Sequence, residues 1–390
     1  MRPELNPFTP GSGLKPPTLA GREAEIAAFD LLVAQSRNAR ATSSIVLYGY
    51  RGVGKTTLLN AMRAQATTSG WLCIDLEAQT SESGTQSIRQ QLGRRLGAAA
   101  EGFRRGKKYT KAVKSALSTL ESFSLTLGAA SLGFSKSAGV RKLSGNIEVD
   151  LEIVVEDFAD ALRETNSAIG VFIDEMQDLD DELLSALLTV QNRAGQNGIP
   201  FYVVGAGLPT LPALLARSRS YAERLFQFLE VGPLSPDAAR RAIVEPLAPY
   251  NFHIDEAALQ LVLAESGGYP FFLQIFGREL WLAATERRID LDVANHALVA
   301  GLREMDQGIF RARWDRTTLE ERDYLRAMVA CDTPQPPTSA LPELHNLPDS
   351  VAEDARTSLV RKGIIFVPEP GAVAFTMPGM PSFIARRDAL

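Results

Sequence analysis

Two cysteines and three histidines are all that the 390 residues contain, and that scarcity excludes a good deal. Cys73 and Cys331 lie far apart, so there is no disulfide framework and no cysteine–histidine spacing for a structural zinc. Cys73 falls inside an apolar run, where a buried thiol is expected. No run of about 18 apolar residues is present to cross a bilayer. The opening "MRPELNPFTPGSG" has no apolar core of the kind a signal peptide needs. Charge of one sign is not in excess either. With a net charge of −5, any affinity for nucleic acid or an anionic membrane must come from a local patch. Low-complexity tracts are missing, and 45% hydrophobic with 22% charged residues is the composition of folded globular protein. A cytoplasmic enzyme of two or three domains is the expectation.

Strand-like runs at 44–48, 71–77, 169–173 and 201–205 alternate with helical segments, which predicts a parallel α/β sheet. Five prolines and two glycines in the first 19 residues predict an extended arm over 1–20. "GREAEIAAFDLLVAQ" then has helical spacing at Ile26, Phe29, Leu32 and Val33. The core is expected to span 21–232, with an insertion at about 87–150 that is long for a connection between two strands. Within it "TKAVKSALSTLESF" has a helical spacing. Phe123, Leu125, Leu127, Leu132 and Phe134 alternate around Gly128 and predict a hairpin, and "SKSAGVRKLSGN" reads as a flexible loop. Residues 233–305 look wholly helical. From 315 to 390, a capping box at Thr318 and Glu321, a second helix closed by Gly363, and two strand-like runs about Pro370-Gly371 predict a winged helix-turn-helix.

The richest signal is "GYRGVGKTT" at 49–57, directly after the apolar "IVLY". It satisfies G-x-x-x-x-G-K-[ST] between a strand and a helix-former run, the context that gives the pattern meaning. Gly49, Gly52 and Gly54 allow the backbone of Arg51, Val53 and their neighbours to curl, so that successive N–H groups face one phosphate. The loop opens into a helix N-terminus whose N–H donors, Thr57 among them, favour the same anion. Lys55 can reach β- and γ-phosphates, and the Thr56 hydroxyl can ligate Mg²⁺. The second half is "IGVFIDEMQDL" at 169–179. A buried parallel strand delivers the residues at its carboxyl end to the ligand crevice. Asp174 would hold Mg²⁺ and Glu175 would orient and deprotonate a water attacking the γ-phosphate. Gln177 either positions water, senses phosphate, or is a plain solvated amide.

With both motifs in place the chain resembles an AAA+ ATPase of the replication-initiator-like branch, with signalling ATPases of the STAND class as neighbours. The resemblance covers nearly the whole length and implies an AAA+ core, an all-helical lid and a C-terminal winged helix, with ATP and Mg²⁺ as ligands. "LAGREAEIAAF" is similar to the family's segment near the adenine. "SYAERLFQFLEVGPLSPDAARRAI" resembles the stretch carrying an arginine finger, which would make Arg224 the residue that reaches a neighbouring subunit's γ-phosphate in a homo-oligomer. Taken as a whole, the chain also looks like a widespread set of bacterial ATP-binding proteins. Two departures stand out. Where the family sets a polar sensor at the end of its fourth strand, "FYVVGAGLPTLP" offers Gly205, Ala206 and Gly207. Where the lid carries a sensing arginine, "GGYPFF" at 267–272 resembles the Gly-x-Pro of STAND proteins. Both leave nucleotide binding intact and imply slow, switch-like hydrolysis.

Partners are less determined. Between Arg94 and Lys114 lie eight basic residues (Arg94, Arg95, Arg104, Arg105, Lys107, Lys108, Lys111 and Lys114) against the single acid Glu101. They form either a duplex-DNA phosphate contact or a solvated helix face. The C-terminal segment mixes Asp349, Glu353 and Asp354 with Arg356, Arg361 and Lys362, and its turn is "PEPG", which suits a protein partner at least as well as a DNA groove. Three functions are therefore open: an ATPase switch on or near DNA, a signalling or defence regulator of a protein partner, and a module that holds ATP without turnover.

Overall fold

The computed structural model describes residues 2–38, 42–78, 84–106, 111–127, 143–341 and 348–388. Two compact units divide them: residues 22–48 with 55–230, and residues 1–21 with 49–54 and 231–390.

The first unit is built on a five-stranded parallel sheet. In chain order it holds α1 (Glu23–Arg37), β1 (Ser44–Tyr48), α2 (Lys55–Thr68), β2 (Leu72–Glu77), α3 (Gly84–Gly106), α4 (Lys111–Thr126), α5 (Ile147–Thr165) and β3 (Ile169–Asp174). There follow α6 (Asp181–Gln196), β4 (Phe201–Gly207), α7 (Leu211–Ser218), the single turn α8 (Ala222–Leu225) and β5 (Phe226–Glu230). The strand order is β2-β3-β4-β1-β5. "SIVLY", "IGVFID" and "FYVVGAG" are nearly continuous apolar runs because central parallel strands are covered on both faces. Register brings Val46 opposite Gly205 and Ile173 opposite Gly205 from the other side. β1 and β3 thus flank the carboxyl end of β4.

A buried polar network lies toward the amino end of the sheet's strands. The Ser44 hydroxyl donates to Gln191 Oε1 at 3.1 Å, Val203 N–H donates to the same oxygen at 2.8 Å, and Gln191 Nε2 donates to Leu225 O at 3.3 Å. This single amide ties α6, β4 and β1 to the turn that precedes β5.

The insertion differs from its sequence reading. Val113, Ala116, Leu120 and Phe123 recur at helical spacing and all lie in the core with Ile88, Leu92 and Leu96 of α3 and Val154, Val155 and Phe158 of α5. The alternation that predicted a hairpin from Phe123 loses to this longer period. Phe123 and Leu125 belong to α4, while Leu132 and Phe134 lie outside the described residues. The loop reading of 135–146 also changes at its end. Asn146 caps α5 by accepting from Glu148 N–H and Val149 N–H. The Asp150 carboxylate, 1% exposed, accepts from Ser144 N–H, the Ser144 hydroxyl and Gly145 N–H. Residues 143–146 are a built cap.

The second unit holds α9 (Pro236–Leu247), β6 (His253–Ile254), α10 (Glu256–Ser266), α11 (Pro270–Ala283), β7 (Arg288–Ile289) and α12 (Leu291–Met305). The expectation of pure helix over 233–305 misses β6 and β7, a two-residue parallel pairing too short to carry a period. A π-helical turn at Asp306–Phe310 leads into α13 (Arg311–Trp314), α14 (Leu319–Ala330), α15 (Asp349–Arg361), β8 (Ile365–Phe366), β9 (Ala374–Phe375) and α16 (Met380–Asp388). β8 and β9 pair antiparallel, with Gly371 at φ +87° in the turn between them. The capping box is reciprocal: Glu321 N–H donates to the Thr318 hydroxyl and Thr318 N–H donates to Glu321 Oε2. One apolar core runs from Ala238 and Leu273 to Trp314, Tyr324 and Phe383. The proline-rich N-terminal segment joins it. Phe8 is 3% exposed against Gly277, where a Cβ would come within 2.4 Å of the ring, and Trp281 Nε1 donates to Arg2 O.

Candidate nucleotide site

Gly52 and Gly54 have φ of +83° and +92°, values that an L side chain rarely adopts. Gly49 is required for a different reason, since a Cβ there would lie 2.1 Å from Val231 O. Segment 49–54 is held by its own unit. Phe271 N–H donates to Gly52 O at 3.2 Å, Arg51 N–H donates to Thr376 O at 2.9 Å, and the Tyr50 ring meets Phe366 edge-on at 5.6 Å. Val53 is fully buried. "GGYPFF" therefore supports the glycine-rich loop directly, through the first turn of α11.

Lys55, Thr56 and Thr57 open α2, so their N–H groups lie in the first turn of a helix. Lys55 is 9% exposed. The Thr56 hydroxyl donates to Asp174 Oδ2 at 2.7 Å, joining the first turn of α2 to the end of β3. Burial pushes the Asp174 carboxyl above its ordinary range, the Thr56 hydrogen bond pulls it back, and the adjacent Glu175 charge raises it again. A raised carboxyl with a hydroxyl at this spacing suits a hard divalent cation. Two cis oxygens at the ~2.1 Å bond length of Mg²⁺ lie about 2.9 Å apart. Thr56 and Asp174 thus fit Mg²⁺ by donor type and by separation.

Glu175 follows in the left-handed region, at φ 49° and ψ 43°. Its N–H donates to Asp174 Oδ1 at 3.0 Å, which fixes the Asp174 carboxylate against the Glu175 backbone. The solvated-amide reading of Gln177 is excluded by its contacts. Its Nε2 donates to Glu175 Oε2 at 2.8 Å and its Oε1 accepts from Leu208 N–H at 3.0 Å. The glycines at the end of β4 are explained by the same turn. A Cβ at Gly205 would meet Met176 Sδ at 2.3 Å, and one at Gly207 would meet Gln177 Oε1 at 2.4 Å. The sequence offers no polar sensor at the end of β4. The structure fills that place with Met176 and Gln177.

Arg224 is exposed on α8 at the amino end of β5. β1 and β5 pair from Ser44↔Phe226 to Tyr48↔Glu230, so Arg224 and Thr56 lie beyond opposite ends of a five-residue strand. The strand alone separates them by about 13 Å. Arg224 lines a cleft of about 360 Å³ with Gln191, Asn192 and Tyr202. Of the basic insertion, Lys107 and Lys108 lie outside the described residues, and the side chains of Arg104, Arg105 and Lys111 do too. Arg95 pairs with Asp75 at 3.2 Å.

Residues 18–204 match the family model of the AAA ATPase domain, and residues 307–384 match a family described as a domain of unknown function, DUF8462. No curated protein matches by sequence. Among solved structures, the chain is similar to the Walker-type ATPase PABY2304 of Pyrococcus abyssi, with a TM-score of 0.60 at 18% identity over 98% of this chain and 99% of that one. It is similar also to Cdc6p from Pyrobaculum aerophilum, with a TM-score of 0.50 at 12% identity over 100% and 99%. At these identities the likeness is one of fold, and it extends over essentially the full length of both chains.

Proposed function

Given an AAA ATPase domain at residues 18–204 within a chain folded like Walker-type ATPases of the replication-initiator-like AAA+ branch, we propose that the protein is a slow, Mg²⁺-dependent ATPase switch. The observation that carries this is the 2.7 Å bond between Thr56 and Asp174, with Glu175 fixed beside it. Gly49, Gly52, Val53 and Gly54 wrap the phosphates with backbone N–H groups, while Arg51, whose N–H donates to Thr376 O, shapes the loop from within. Lys55 supplies a point charge to the β- and γ-phosphates, and Thr57 adds a donor from the first turn of α2. Thr56 and Asp174 hold Mg²⁺, which when bound neutralises charge on the phosphates. Glu175 orients the attacking water and takes its proton.

Arg224 acts on a neighbour. Its place at the far end of β5 keeps it from its own chain's Thr56, so its charge serves hydrolysis only in an oligomer. In that reading the cleft beside it belongs to the docking surface. The partner of the assembly is duplex DNA, met through the basic run 94–114. A protein partner is favoured for the C-terminal segment, read as a winged helix, by its ion pairs. Lys362 is engaged with Glu321 at 2.6 Å and Arg356 with Glu353 at 3.2 Å, while Asp349 and Asp354 stay exposed. The test is phosphate release with and without duplex DNA, alongside solution mass with and without ATP. The reading expects ATP-dependent assembly and DNA stimulation. Hydrolysis by monomers at the rate of assemblies removes the role of Arg224, and absence of DNA binding at low salt leaves the protein-partner reading.

A further inference from the structure

Gln177 uses both ends of its amide. Leu208 N–H donates to its Oε1 at 3.0 Å, and its Nε2 donates to Glu175 Oε2 at 2.8 Å and to Asp178 Oδ2 at 3.1 Å. The amide's orientation follows from chemistry, because a backbone N–H needs an oxygen and two carboxylates need an NH₂ group. Glu175 is thus leashed, through one side chain, to the backbone just beyond β4.

The surroundings are shaped for this leash. Glu175 occupies left-handed backbone, a conformation costly to a non-glycine residue that persists only when neighbours hold it. β4 gives up side chains at Gly205 and Gly207 to admit Met176 and Gln177. A general base must offer a carboxylate oxygen to the water it deprotonates. On Oε2, the Gln177 N–H competes with that water.

We propose that Gln177 is a positioning residue that holds Glu175 in a resting orientation, so that hydrolysis requires the amide to let go. This rests on the reading of Glu175 as the base. The leash is anchored on Leu208, the first residue after β4, so letting go means moving the 176–178 turn against the strand end. A nucleotide γ-phosphate or a rearrangement of the 208–211 segment would do that. The slow turnover proposed above then has a local cause.

Gln177→Leu keeps the bulk and removes the donor. The expected result is a kcat for ATP about tenfold higher, the low end of what a hydrogen bond to a charged group can hold back. The KM should stay within about twofold, because no nucleotide contact is touched. In a Glu175→Gln background the same change should do nothing. Hydrogen exchange in the nucleotide-free protein gives a readout independent of turnover. The Leu208 amide should exchange faster in Gln177→Leu and remain protected in Gln177→Glu, which keeps an oxygen for it. Gln177→Glu should nonetheless raise kcat, and it decides the matter if Gln177→Leu does not fold. A kcat equal to or below wild type in the folded variant overturns the proposal. Absence of phosphate release from wild type would instead remove the ATPase reading, and the exchange experiment would still report whether the leash exists.

Discussion

Thr56 and Asp174 are 118 residues apart in sequence and share a hydrogen bond of 2.7 Å. Burial of the carboxylate works against its charge, which a cation would relieve. A site built for a metal should be easier to keep folded once the charge is gone. The folded carboxyl titrates above its unfolded value, so its ionisation costs stability. That cost sets in as pH rises through the unfolded value of about 3.9 and is complete above the folded one. Asp174→Asn should therefore raise the melting temperature of the nucleotide-free protein at pH 7 while abolishing its Mg²⁺ dependence. Thermal melts with and without Mg²⁺ and ATP check both halves.

Arg224 gives a complementation test. Arg224→Ala should leave ATP affinity unchanged and cut kcat by about 10³ or more, the scale of arginine fingers. Lys55→Ala should lose nucleotide binding. Mixing the two variants at equal concentration should restore activity, because an intact nucleotide site can then meet an intact arginine across an interface. Phosphate release from the mixture, compared with each variant alone, provides the check.

The glycines of β4 lend themselves to a double-mutant cycle. Gly205→Ala should destabilise by about 1–3 kcal/mol, because its Cβ would press on Met176 Sδ at 2.3 Å. Met176→Ala in the same chain should recover much of that loss, giving a coupling energy that denaturant melts can resolve.

Lys362 and Glu321 bond at 2.6 Å with Glu321 only 3% exposed, and Glu321 also closes the capping box of α14. Glu321→Ala should cost about 3 kcal/mol, since it strands a half-buried lysine and opens a cap. Although burial opposes the charge, the Lys362 ion pair and other hydrogen bonds outweigh it and hold the Glu321 carboxyl below its ordinary range. Its contribution is therefore present above the unfolded value of about 4.3 and is lost as pH falls through the folded one. Melts of wild type and variant should converge in acid.

The candidate nucleotide site is legible in sequence because its parts are local. "GYRGVGKTT" declares its glycines and charges within nine residues, and "VFIDE" ends a strand whose apolar run follows from burial on both faces. What was not legible depends on distant partners. The role of Gln177 stays open in the sequence because the glycines that admit it, Gly205 and Gly207, lie about thirty residues away. Phe123 fits a short alternation as well as a helical period, and packing on α3 and α5 decides for the helix. The Ser144–Asp150 cap was hidden in a loop-like composition for the same reason. β6 and β7 carry no pattern at all, being two residues each.

If the basic run meets DNA, changing Lys107, Lys108 and Lys111 to Glu should weaken duplex binding and reduce the slope of log affinity against log salt by about three. Fluorescence anisotropy over a salt series measures it. An unchanged slope would assign these lysines to a solvated face.

The central claim is that Glu175, next to a Thr56–Asp174 metal pair, performs a restrained hydrolysis of ATP. Steady-state phosphate release by wild type and Glu175→Gln, at saturating ATP with and without Mg²⁺, tests it most directly. The account predicts Mg²⁺-dependent turnover well below the ~10 per second typical of enzymes, abolished by Glu175→Gln with ATP binding preserved. Turnover at ordinary rates, or turnover that survives Glu175→Gln, would contradict it.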